Sequence, residues 1–175
     1  MHEFDEIALR GIAVTLSALN DAALKYNKEL EDQGCTIFVK GLQAMRFQKA
    51  VLCVGVFSMF EAKLQDSLNC ENGFAELKKR LLLYREFEIL KEFETFKLAI
   101  NVLKHGRGRS YDQLVANSNS LPFSIRMPDN IFFEEGDITE VATLVDVTDE
   151  FVTSCVNLIR SISEVLRRND SMLII

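Results

Sequence analysis

Eight consecutive residues, Lys104-His105-Gly106-Arg107-Gly108-Arg109-Ser110-Tyr111, place three cations, a histidine and two glycines together in a chain whose formal net charge is −6. An imidazole titrates near neutral pH and serves as a general acid or base. Arginine grips phosphate in a bidentate fashion, and glycine lets a backbone approach an anion closely. The combination points to phosphate chemistry. His105 is one of two histidines; the other, His2, sits at the N-terminus. Upstream, Lys97, Asn101 and His105 recur every four residues, which stacks them on one helix face with Lys104 beside them. Tyr111 offers a ring for stacking on a base. Cations at a helix C-terminus also cap its last carbonyls and complement its dipole. Lys104, Arg107 and Arg109 therefore have a structural reading beside the ligand-binding one. A second anomaly is Glu61, which stands in an apolar stripe between Phe57 and Leu64. A buried carboxylate needs a partner, which the cation-rich end of the third predicted helix or a second chain would supply; the plainer reading is a rim position.

The elements that must position these residues are helical. Leu9, Ile12, Leu16, Leu19, Ala23, Tyr26 and Leu30 step by threes and fours, predicting a helix over about 4–33 with Gly34 as its C-cap. Phe47, Ala50, Val54, Phe57, Glu61, Leu64 and Leu68 predict a second over about 36–69, stopped by Asn69, Asn72 and Gly73. This helix is apolar on nearly every face, so it is expected to be central or shared with a second subunit. Leu82, Ile89, Phe93, Phe96, Ile100 and Leu103 predict a third over about 74–105. Residues 106–146 break the pattern and hold both prolines, Pro122 and Pro128. Within them, residues 123–127 alternate like a short strand, with 131–133 as a candidate hairpin partner. The last helix, about 147–169, starts at Asp146 or Thr148 and buries Phe151, Cys155, Leu158, Ile162 and Val165. The apolar tail, residues 173–175, is expected to dock on a neighbour. The expected fold is all-α: one domain over 1–175, an up-and-down four-helix bundle with a long loop or small β-hairpin excursion before the last helix.

Composition narrows the function. Hydrophobic residues at 48% and charged residues at 26% describe a globular chain. The acidic balance excludes a whole-surface basic field for duplex DNA, but a local cationic patch still binds nucleic acid through the contacts it makes. The four cysteines, Cys35, Cys53, Cys70 and Cys155, lack metal-site spacing and read as free thiols of a cytoplasmic protein. The apolar run from Ala50 to Phe60 is too short to span a membrane. No metal site, cofactor-binding loop or nucleophilic triad is expected.

A helical bundle with Asn101-x-x-x-His105 at the end of its third long helix resembles the HEPN superfamily, the higher eukaryotes and prokaryotes nucleotide-binding domains. Phe57-Ser58-Met59-Phe60-Glu61 is similar to a second-helix stretch of such domains with a small polar or acidic residue. Ile100 stands where the family carries its arginine. The resemblance implies a homodimer that acts as a metal-independent endoribonuclease or RNA-binding protein of a toxin–antitoxin or phage-defence system. His105 would be the acid/base and Asn101 would orient it. Lys104, Arg107 and Arg109 would hold phosphate, Lys97 would supply further positive charge for the substrate, and Glu61 would support the site. The alternative is a non-catalytic dimeric module that binds a partner protein. The two readings differ in whether the Asn101–His105 face is an open cleft lined by cations.

Overall fold

A computed structural model describes residues 4–33, 35–128 and 144–170. Its fold is all-α. The helices are α1 (Phe4–Gln33), α2 (Thr36–Leu68), α3 (Gly73–Leu83), α4 (Phe87–His105), α5 (Arg109–Ala116) and α6 (Asp149–Asn169), with a 3-10 turn at Ser118–Ser120. Helices α1, α2, α4 and α6 surround one core: α1 packs on α2 and α6, and α4 packs on α2 and α6. Helices α1 and α2 run antiparallel. Phe4 stacks on Phe60 at one end and Tyr26 meets Phe38 at the other. Phe57, Phe74 and Phe93 form one aromatic chain in the core. Phe96, Phe123 and Phe151 form another, with centroids 5.1–5.4 Å apart.

The third predicted helix, 74–105, is in fact two. The chain turns at Tyr84-Arg85-Glu86, where Arg85 adopts a left-handed conformation with φ of 62°. The amide of Glu86 donates to the Leu81 carbonyl and that of Arg85 to the Leu82 carbonyl. This is the Schellman pattern, which satisfies the last carbonyls of a helix. Its left-handed residue is usually glycine, so the arginine left no signal. Leu82, expected in the buried stripe, is 44% exposed beside the turn. Phe47 also departs from its predicted stripe and is 53% exposed.

The described residues of the 106–146 excursion, 106–128 and 144–146, include a further helix. The excursion opens with α5, which buries Tyr111 and Leu114. It then lays Phe123 against Phe96 and Phe151. Ile125 pairs with Val145 in a single antiparallel bridge. The expected partner strand, 131–133, lies outside the described residues, as do the Gly34 cap, His2 and the 173–175 tail. Of the two candidate caps for α6, Thr148 is the one used: its hydroxyl accepts from the Phe151 amide at 3.2 Å.

One stretch of α1, Phe4–Asp32, is long and apolar enough to cross a membrane by composition, with mean hydropathy 1.3. Ile12 and Leu16 face the core, and buried Asp5 pairs with Arg167 of α6 at 3.0 Å. These contacts tie α1 into the bundle. Cys53 and Cys155 meet in the core, both fully buried. Burial pushes the Cys155 thiol up, and the hydrogen-bonded Cys53 adds to the shift.

Candidate functional site

Helix α4 carries its polar residues on the flank left uncovered by the core. Ala99, Ile100 and Val102 are buried, Asn101 is half-buried, and Lys104 and His105 are exposed. The helix ends at Gly106, whose φ of 74° suits glycine and whose amide donates to the Val102 carbonyl at 2.8 Å. Three residues later α5 begins. Its N-cap, Gly108, offers no side chain to the free amides of the first turn.

This geometry changes the electrostatics of the cation cluster. Seen from sequence, Lys104 to Arg109 follow a helix C-terminus, whose dipole repels anions. In the fold, the positive end of α5 faces the same space. Asn101, His105, Gly106, Arg107, Gly108, Arg109 and Ser110 line one open hollow of about 240 Å³. His105, Arg107 and Arg109 are all exposed around it. Asp112, in the first turn of α5, offsets part of the positive field.

Lys97 and Lys104 face a different space. With Asn101 and Ile100 of α4, Phe57, Ser58 and Glu61 of α2, and Phe74 of α3, they line a more enclosed cleft of about 120 Å³. Asn101 is common to both hollows. The Lys97–Asn101–His105 line therefore divides at Asn101, with Lys97 on the cleft side and His105 on the junction side. Lys97 holds its ammonium 5.9 Å from the centre of the Phe74 ring, a cation–π distance. Glu61 shares the cleft with both lysines but forms no ion pair or side-chain hydrogen bond among the described residues. Glu61 is half-buried at the edge of the cleft, a rim position and not that of a buried, paired carboxylate.

Tyr111 is a correction. Its ring is only 3% exposed, and its hydroxyl donates to the Arg126 carbonyl at 2.6 Å. Arg107 lies over the ring at 5.8 Å. A ring so covered cannot stack on a base; it anchors α5 to the 121–128 segment and supports Arg107. Sequence reasoning missed Phe74 as a lining residue, and gave Phe57, Ser58 and Ser110, though they lie in the stretches it singled out, no role in the site. For Ser58, the signal was its position one turn before Glu61 on α2. Phe74 reaches the cleft because Gly73 brings α3 close to α2. A Cβ at Gly73 would lie 2.7 Å from the Glu61 carbonyl oxygen and 2.9 Å from the Leu64 Cβ.

Comparison of the chain with protein-family models, with curated proteins and with solved structures finds no match in any of the three.

Proposed function

We propose that this is a HEPN-like protein that binds single-stranded RNA at the α4–α5 junction and cleaves it without a metal ion. The observation that supports this best is the shared hollow: exposed His105 stands with Arg107 and Arg109 around the uncapped start of α5. Guanidinium groups and helix N-terminal amides both favour a phosphate oxygen. In the reaction, the RNA 2′-hydroxyl oxygen attacks the adjacent phosphorus while neutral His105 accepts its proton. The bond from phosphorus to the 5′-oxygen breaks, and solvent protonates the leaving oxygen. The products are a 2′,3′-cyclic phosphate and a 5′-hydroxyl end. Arg107 and Arg109 stabilise the charge on the phosphorane, and Asn101 orients the imidazole or the substrate. On the resemblance, such a protein serves in a toxin–antitoxin or phage-defence system.

The protein acts as a homodimer. Phe47, Val51 and Val54 step by four and three along α2, on one face of that helix. Phe47 and Val51 are 53% and 44% exposed on it. A second copy packed along this face buries them and brings the two sites together. The same exposed apolar face supports the second reading, a non-catalytic module that docks a partner protein.

The test is binding and cleavage of single-stranded RNA at low salt. His105→Ala should lower cleavage by about 100- to 10,000-fold while leaving binding intact. Chelators should have no effect. Arg107→Ala and Arg109→Ala should weaken binding, each flattening the salt dependence by roughly one phosphate contact. Failure to bind RNA at low salt rejects the proposal in favour of the protein-docking module. Binding without cleavage leaves an RNA-binding protein.

A further inference from the structure

The cleft between α2 and α4 has a chemical character that the phosphate site does not explain. Its apolar lining is aromatic and aliphatic, from Phe57, Phe74 and Ile100. Its polar residues are of both signs: one carboxylate, Glu61, with no partner among the described residues, and two ammonium groups, Lys97 and Lys104. Lone ions suit it poorly, since the lysines repel a cation and Glu61 repels an anion. A flat, neutral ligand that carries donors and acceptors side by side suits all of these groups together. At about 120 Å³ the space has the size of a single ring system, not of a whole nucleotide. It adjoins the phosphate hollow through Asn101, which lines both.

We infer that this cleft is a base-recognition pocket and that its ligand is one guanine of the bound RNA strand. The inference rests on the RNA reading above and adds its sequence preference. Carboxylates accept from the donor edges of bases. Guanine places two donors, the ring N1–H and the exocyclic N2–H, next to each other, so both oxygens of Glu61 are used at once. Adenine and cytosine present one exocyclic amine beside an acceptor, and uracil presents a single N–H between two carbonyls. The O6 and N7 atoms of guanine are acceptors for lysine, which Lys97 and Lys104 satisfy. The base lies on the apolar lining, as bases taken out of a stack do in protein pockets. Lys97 is held over Phe74, so its ammonium is already positioned.

The test compares short oligouridylates carrying one central guanosine, adenosine or cytidine with the all-uridine strand. Equilibrium binding is measured in a His105→Ala background so that the strands stay intact. The guanosine strand should bind roughly 5- to 100-fold more tightly than the other three, the range for one bidentate base contact. Glu61→Gln, nearly isosteric at a half-exposed position, should abolish that preference, so that the variant binds the guanosine strand and the all-uridine strand equally. Lys97→Met removes a cation that every strand meets, and should lower affinity for the guanosine strand by a larger factor than for the other three. Arg107→Ala should weaken all four strands by the same factor. Equal binding of all four strands, preference for another base, or a guanosine preference that survives Glu61→Gln overturns the pocket and leaves the RNA reading standing. No binding of any strand at low salt overturns both.

Discussion

Tyr111 contributes through its hydroxyl rather than its ring face. Its bond to the Arg126 carbonyl is buried at one end, and losing it should cost about 1 kcal/mol. Tyr111→Phe should therefore lower stability by that amount in denaturant titrations while leaving RNA affinity unchanged. Lost RNA affinity at unchanged stability would instead place the hydroxyl in ligand contact. The partner is fifteen residues away in the chain, beyond any helical periodicity, which is why sequence suggested stacking. Glu61 was easier to single out, because a carboxylate in an apolar stripe is conspicuous. Its lack of a partner was not legible, since that depends on how far α4 stands from α2.

At the scale of elements, the turn between α3 and α4 holds a left-handed Arg85. A side chain there costs roughly 1 kcal/mol relative to glycine. Arg85→Gly should raise the unfolding midpoint by a corresponding amount, whereas Arg85→Val should lower it. This break was invisible in the sequence because neither glycine nor proline marks it. The same applies to α5, whose eight residues are too few to show a clear period. The boundaries of α1, α2 and α6 were legible, since long apolar seams run through all three, with Asn69 closing α2 and Thr148 opening α6. The start of α6 also carries a pH dependence. Burial alone would raise the Asp149 carboxyl, but Lys49 at 2.6 Å and the Asn20 amide outweigh burial and hold it below the ordinary range. Its stabilisation is complete above the unfolded value of about 3.9 and is lost as pH falls through the lowered folded value. Lys49→Met should lower stability at neutral pH and flatten the acid limb of a stability curve. Parallel acid limbs for wild type and variant would contradict this.

For the whole molecule, the decisive surface is the exposed apolar face of α2. Val51→Asp should convert a dimer into a monomer in sedimentation experiments at micromolar concentration, with the helical circular dichroism retained. A wild-type monomer would reject the dimer. The sequence hinted at this surface, because α2 is apolar on more sides than a single core covers. It did not say which side was left over. Phe47 was counted with the core stripe because the periodicity places it there, yet the bundle does not extend over it.

Gly73 has a further consequence for how the cleft can evolve. With only hydrogen facing α2, it acts as a spacer of fixed thickness between two backbones, against the main-chain carbonyl of Glu61. Any larger residue would wedge α3 away and alter the gap at Phe74. The cleft's width is thus set by backbone contact, not by adaptable side chains. In the proposed base pocket, a change of ligand would come from exchanging groups at positions 61, 97 and 104, keeping the calibre and rewriting only the chemistry on the walls.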